Sequence, residues 1–394
     1  MEVLFDKMKK TGYYRMNDAL SNINAGITEQ VTGAFLIAFV VGIYAWMFDQ
    51  FRFFTIPANI VTWVIVFIGV DFFYYWFHRL AHEVNFLWGG HVVHHQSEEY
   101  NLSVALRQGA FQKFGSFLFY LPLALIGFEP VMFIVVSQFQ TLYQFWIHTK
   151  TINKLPKPLE FIFNTPSHHR VHHGRNPKYI DKNHGGTLII WDRLFGTFQE
   201  EEEEVVYGIT NPLNSWNPLR AQVYFWKQLI VDIAHTKRFS DKLKLLFLPP
   251  GWFPQELGGP KSVPEVTVTT QRKYDTTIPI TLNYYVFIQF VLILAITSYF
   301  LFSFENFDNI TRVIFMLLIL VSVTSAGLML EANRNAFLLE IFRLVVTVVF
   351  YNYLLQIGAM HNMTGFDLFI LIILYGLSFI VFIPFRKVFV KSLV

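Results

Sequence analysis

Thirteen histidines occur in the chain, and most stand in tight clusters. His78 and His82 form H-x3-H. His91, His94 and His95 form H-x2-H-H. His148 stands alone in QFWIHT. His168, His169, His172 and His173 form the run SHHRVHH, and His184 follows in NHGGTLIIWD. Neutral imidazole is a common ligand of zinc, iron, copper and nickel. Residues four apart on a helix share a face, so His78 and His82 can offer two rings to one ion. The doubled pairs, His94 with His95 and His172 with His173, each aim two rings in different directions. Two such pairs suit two metals, with each pair splitting between them. The chain has no cysteine, which excludes disulfides, thiolate sites and cysteine nucleophiles. Any transition metal must therefore be held by histidine, carboxylate or water.

The elements that position these rings belong to a membrane. Hydrophobic residues make up 53% of the chain and charged residues only 15%, against about 25% charged in a soluble domain. The net charge of +3 offers no broad electrostatic case for nucleic acid. Eight segments are apolar and long enough to cross roughly 30 Å of hydrocarbon, near 31–48, 58–77, 110–127, 130–147, 280–303, 312–330, 337–357 and 366–384. Lipid gives the backbone no hydrogen-bond partners, so these segments are expected to be helices. A short turn at 127–130 makes the third and fourth a hairpin, which either crosses or dips in and returns. The expected fold is thus all-α and integral to the membrane, about eight transmembrane helices with a cytosolic helical cap that carries the histidines.

Charge sets the orientation. Lys7, Lys9, Lys10 and Arg15 precede the first span, and Arg386, Lys387 and Lys391 follow the last, which places both termini in the cytosol. With an even number of spans, every histidine cluster then falls at the cytosolic face. The N-terminus lacks the apolar core of a signal peptide. The organisation expected is a cytosolic segment at 1–30, a catalytic domain of four spans plus cap at 31–278, and a membrane domain of four spans at 279–394. Within the cap, 219–248 mixes Phe225, Trp226 and Ile230 with Lys227, Lys242 and Lys244. That stretch is either a helix on the membrane surface or an ordinary amphipathic helix packed on the domain. The glutamates at 200–204 read as a solvated loop. His235 and His361 stand apart from the clusters and are expected to be uninvolved. Asp71 lies inside a span, where an acid usually has a partner; it is read as a carboxylate behind the metal ligands or as a structural group.

The order H-x3-H, H-x2-H-H and a later H-x2-H-H resembles the fatty acid hydroxylase and sterol desaturase superfamily of membrane di-iron enzymes, and within it the alkylglycerol monooxygenases. The resemblance is carried by HRLAHEVN from His78, HVVHHQSEEYNLSVALRQ from His91, QFWIH from Gln144, NTPSHHRVHHGRN from Asn164 and DKNHGGTLIIWDRLFGTF from Asp181, and it covers roughly 60–210. It implies two irons held by His78, His82, His91, His94, His95, His148, His169, His172 and His173, with His168, at the doubled start of the third box, as a further metal ligand or a group behind the ligands. It also implies that Glu83 handles a tetrahydropterin reductant, or else orients His82 as an acceptor. Gln144 stands where some relatives carry a further histidine, which leaves a coordination position open or water-filled. His184 departs from the expected pattern, as an added ligand or as a group behind the ligands or near substrate.

The activity implied is hydroxylation of a lipid carbon with O₂. In an alkylglycerol, hydroxylation beside the ether oxygen gives a hemiacetal that collapses to an aldehyde and a glycerol compound. Electrons must come from a pterin or a separate redox protein, because the sequence holds no haem-domain signature, no Gly-rich dinucleotide fingerprint and no cysteines for an iron–sulfur centre. The expected location is the endoplasmic reticulum of a eukaryote or the cytoplasmic membrane of a bacterium. Rival readings are action on a sterol-like, carotenoid or fatty acyl substrate, a zinc-loaded inactive relative, and a histidine-rich metal transporter. Transporters place ligands near the midplane between repeats, whereas here the clusters share one face and no repeat is present.

Overall fold

The computed structural model describes residues 2–356, 358 and 365–390. Among them all regular structure is helical, and the only pairings between extended residues are two isolated bridges, Phe163 to Leu188 and Gly174 to Tyr207. The chain forms two compact units. The first is Met1–Glu29, Phe35–Leu213 and Ala221–Lys273; the second is Gln30–Ala34, Asn214–Arg220 and Tyr274–Val394.

The first long helix, Met16–Phe51, starts well before the span expected at 31. Its early turns carry Asp18, Ser21, Asn22 and Asn24, all buried. Ser97 donates to Asp18, and the Arg107 guanidinium donates to Ser21 and Asn22, so this polar stretch is tied to the segment after the second histidine box. Further along, Ile37, Phe39 and Trp46 are exposed, as lipid-facing residues are.

Helix Ile60–Glu83 begins at a capping box. The Asn59 side chain accepts from the backbone of Val61 and Thr62, and Thr62 accepts from the Asn59 backbone, satisfying donors the first turn leaves orphaned. The helix then runs unbroken through His78 and His82, past the span limit expected at 77. Its 24 residues rise about 36 Å, enough to cross the hydrocarbon and emerge.

The expected third and fourth spans are shorter. Helix Gln112–Ile126 has 15 residues and Pro130–Ile147 has 18, about 22 and 27 Å of rise. Gly127 closes the hairpin at φ 115°, and a Cβ there would lie 2.1 Å from the Phe54 carbonyl, so only glycine fits the turn. Among the described residues six helices are long and apolar enough to span by themselves: Met16–Phe51, Ile60–Glu83, Ile280–Phe302, Asn309–Leu330, Ala336–Gln356 and Phe369–Val390. The count remains even. The chain is a multi-pass membrane protein.

The expected amphipathic stretch is two helices, Pro218–His235 and Phe239–Phe247. They expose Ile230, Phe239 and Phe247.

The second unit contains helices Ile280–Phe302, Asn309–Leu330, Ala336–Gln356 and Gly365–Phe382. At its centre Arg343 pairs with Glu340 and donates to Gln289, while Tyr285 and Ser325 donate to Glu340. Both ionic groups are at most 1% exposed. Removing one partner of such a pair leaves an uncompensated charge and costs about 3–5 kcal/mol. Glu340→Leu is therefore expected to lower the unfolding midpoint in detergent sharply. The double variant Glu340→Leu/Arg343→Leu should recover part of the loss. A single variant as stable as the parent would refute the pairing.

Candidate metal centre

Four short pieces of the first unit carry the rings. His78 and His82 lie one turn apart on the last turns of Ile60–Glu83. His91 and His95 lie one turn apart on the adjoining helix Asn85–His95, and His94, one residue from His95, points elsewhere. His148 caps the C-terminus of Pro130–Ile147. Helix Pro166–His172, started by Pro166 and a capping box at Thr165, carries His169 and His172, and His173 caps it.

These rings form two groups. His78, His82, His91, His95 and His172 make one, and His94, His148, His169 and His173 the other; within each, one ligand nitrogen per ring lies within 4.8 Å of all the rest. Each doubled pair splits, His95 and His172 going to the first group and His94 and His173 to the second. All nine rings are buried.

The nitrogens show what the groups are for. His78 Nδ1 donates to the His184 carbonyl and His91 Nδ1 to Gln112 Oε1, each at 2.8 Å. A neutral imidazole has one proton, so both Nε2 atoms are bare lone pairs, yet they face each other at 3.0 Å. The second group repeats this. His94 Nδ1 donates to the Arg107 carbonyl and His148 Nδ1 to the Gln144 carbonyl, and their Nε2 atoms lie 3.2 Å apart. His169 and His173 Nε2 also approach His148 Nε2, at 3.1 and 3.2 Å, more neighbours than one nitrogen can bond. Lone pairs at these separations repel unless a cation lies among them. With metal–nitrogen bonds of about 2.1 Å, neighbouring ligand atoms sit about 3.0 Å apart in an octahedron and about 3.4 Å in a tetrahedron. The groups therefore fit metal ions, and the buried, unpartnered Nε2 atoms of His82 and His172 agree.

Burial holds the rings neutral, the form that ligates. It lowers His94, His95, His169, His172 and His173 well below the ordinary histidine range, with neighbouring imidazoles adding to the effect. His91 and His148 are lowered to about 4 by burial.

Carboxylates hold the backbone that lies behind the rings. Asp71 Oδ1 accepts from the Thr187 backbone at 2.6 Å and from Gln140, and Oδ2 accepts from the Leu188 backbone and Trp191 Nε1. It is thus a docking point for the 184–191 turn, whose His184 carbonyl holds His78. A Cβ at Gly186 would lie 2.0 Å from Gln140 Nε2, so glycine permits this approach. Asp192 accepts from the backbones of His184 and Gly185 and from Thr197, all at 2.7 Å. Burial raises the Asp192 carboxyl to about 6. Arg107 joins the boxes, its Nε donating to the Val93 carbonyl while its own carbonyl accepts from His94.

The remaining candidate residues take other places. His168 is in neither group. Its Nε2 faces Glu160 at 3.0 Å, and it occupies the third position of the helix beginning at Thr165, so helix capping and the ion pair turn it away. Gln144 gives its main-chain carbonyl to His148, but its side chain turns to accept from Tyr74. Glu83 pairs with Arg79 at 2.9 Å, and the acid nearest His82 Nδ1 is Asp181 at 3.5 Å. The glutamate run is not merely solvated. Glu201 clasps buried Arg170 with both oxygens, and Arg170 also donates to the Thr149 carbonyl, joining the His148 strap to the last histidine helix. His235 bonds the Val231 carbonyl on its own helix, away from the rings. His361 lies outside the described residues. Asp181, Asp192, Arg107 and Gln112 went unassigned in the sequence; for the first three the signal was their place inside the histidine-bearing runs, whereas Gln112 lies beyond them in the expected third span.

Buried imidazole cages in a multi-pass membrane protein define a membrane metalloprotein. A fatty acid hydroxylase family model matches residues 63–197, and a model of the alkylglycerol monooxygenase C-terminal domain matches residues 282–365. The alkylglycerol monooxygenase of Homo sapiens is 41% identical over 342 residues, which is 86% of this chain and 76% of that protein. The Xenopus tropicalis relative is 42% identical over 345 residues, covering 86% and 76%, and the Danio rerio relative 39% over 357 residues, covering 90% and 79%. No solved structure matches. The chain belongs to the alkylglycerol monooxygenase family, and it is an O₂-dependent membrane lipid monooxygenase with a metal site of the fatty acid hydroxylase kind.

Proposed function

We propose that this chain holds two irons, one in each histidine group, and cleaves the ether bond of alkylglycerols. The observation that carries the reading is the pair of bare Nε2 atoms in each group, 3.0 Å apart between His78 and His91 and 3.2 Å apart between His94 and His148. When bound, the irons supply the O₂ activation that no side chain supplies. Inserting one oxygen atom beside the ether oxygen consumes O₂, two electrons and two protons and releases water. The hemiacetal then divides into a fatty aldehyde and a glycerol compound.

The chain's own residues bind and orient. An apolar cleft of about 470 Å³ opens beside the centre, lined by Phe77, Phe86, Leu87, Phe114, Gly115 and Trp226. Gln112 also lines it and holds His91, so the cleft is continuous with the residues behind the metal. Its size and lining suit an alkyl chain. Electrons enter from outside the polypeptide. The Arg79, Glu83 and Asp181 side chains form a part-exposed polar rim beside His82 and suit a tetrahydropterin that donates through hydrogen bonds. Burial and the neighbouring Glu83 raise Asp181 to about 6. The basic residues at both termini and the even number of spans favour a cytosolic metal site.

The test is anaerobic iron loading, then O₂ and tetrahydropterin with a lipid panel, read by mass spectrometry. A 1-O-alkylglycerol should yield the fatty aldehyde, with product oxygen from ¹⁸O₂ before exchange. Protein that binds two irons and yields only a hydroxylated sterol or acyl lipid would overturn the ether-lipid assignment. A narrower expectation concerns the cleft. Gly115→Leu fills space against Leu87, whose Cδ2 is 2.9 Å from a Cβ built at position 115. It should raise KM for long alkyl chains about tenfold or more and leave short chains near the parent value. Equal effects on both chain lengths would count against the cleft.

A further inference from the structure

His184 is fully buried, at 0% exposure, and neither of its ring nitrogens completes a hydrogen bond. A buried imidazole with nothing to bond is costly, and native structures rarely leave such a group without a partner. The backbone gives the ring little choice of place. The His184 N–H donates to Asp192 at 2.7 Å, its carbonyl accepts from His78, and Asp181 and Asn183 just before it both sit at positive φ, 55° and 57°.

His184 stands outside the five rings whose nitrogens all lie within 4.8 Å of one another, but its ring borders them. Its centroid is 5.1 Å from that of His82 and 5.7 Å from those of His78 and His172. Members of the group stand in the same range, His82 to His91 at 5.1 Å and His91 to His172 at 6.5 Å. The nitrogens bear on its role too. In five rings of the two groups Nδ1 is held by a carbonyl or amide oxygen, which leaves Nε2 for the group. In His184 both nitrogens are buried and unbonded, so a lone pair is free to ligate.

We infer that His184 is a sixth imidazole ligand of the metal held by His78, His82, His91, His95 and His172, closing that position and leaving open coordination to the metal held by His94, His148, His169 and His173. The inference rests on the two-iron reading. It divides the labour between the ions: the closed position has no room for an outside ligand, and the four-histidine position has.

The experiment loads full-length protein in detergent with ⁵⁷Fe(II) without O₂. Wild type should hold two irons and give two Mössbauer doublets of equal area, and its near-infrared magnetic circular dichroism should contain one six-coordinate ferrous component. In His184→Ala one doublet should shift while the other stays. One iron should pass to a chelator about ten- to a hundredfold faster, as when a metal loses a supporting group. Added imidazole should restore both the doublet and the retention, which a structural role would not allow. Unchanged doublets and release in His184→Ala would overturn the assignment. So would a wild-type spectrum with no six-coordinate iron, a measurement that needs no variant to fold. Wild type that binds fewer than two irons would instead sink the two-iron reading itself.

Discussion

Replacing His95 with alanine is expected to remove about one metal equivalent and to abolish O₂-dependent turnover, with the protein still inserted and folded. His95 belongs to the five-histidine group, its Nε2 lying 3.1 Å from that of His91. Its ring also lies between the groups: centroids are 4.7 Å from His82, 4.8 Å from His172 and 4.5 Å from His173, a member of the other group. Losing it removes a ligand from one ion and a packing surface from the other. Loss of a group that merely supports a ligand costs about 10–100-fold in metal affinity or activity, so loss of a central ligand should exceed that. The helix that carries it has other anchors, since Arg107 donates to the Val93 carbonyl and to Gln96, and Asn85 bonds the Leu245 carbonyl. Iron content, turnover and elution as a folded monodisperse species should be measured together. Wild-type iron content with retained hydroxylation would refute the site.

Replacing Asp71 with asparagine is expected to lower iron retention at the five-histidine group and activity by about 10–100-fold, through the 184–191 turn and not by direct contact. Asp71 accepts from four donors: two backbone N–H groups, an amide and an indole. Asparagine has nearly the same shape, but its NH₂ must face a donor. A buried donor left without an acceptor costs about 1–3 kcal/mol. The turn would loosen, and with it the His184 carbonyl that holds His78 Nδ1 at 2.8 Å. A ring free to turn binds metal less well. The same variant should exchange backbone protons at Thr187 and Leu188 faster. Unchanged exchange and full iron retention would show the carboxylate to be dispensable.

The acceptors behind the rings were the hardest part to read from the chain. Asp71, an acid inside an apolar span, demands a partner, but nothing local says that its partners include backbone N–H groups more than a hundred residues away. Glu83 follows His82 directly and looks like its natural support. On a helix, though, adjacent side chains point about a quarter-turn apart or more, and Glu83 meets Arg79 four residues back instead. Asp181, distant in sequence, takes the place beside His82. Glu201 hid in a run of like charges, which ordinarily means solvent, because its partner Arg170 is reached only when the cap folds.

The sequence by itself determined the helical membrane architecture, since apolar length and the bilayer's lack of hydrogen-bond partners leave little else. It determined the class of chemistry, since imidazoles at three- and four-residue spacing, with no cysteine anywhere, leave metal as the common purpose. It also implied that doubled histidines divide between two ions, because neighbours on a helix diverge. Tertiary structure alone decided which rings gather in one group, that His168 is drawn off to Glu160, that the 112–147 hairpin is short, and that the His184 ring lies 5.1 Å from that of His82. Spacing fixes direction only within one helix. The meeting of rings from several separate segments depends on packing and on distant hydrogen bonds, which no local pattern encodes.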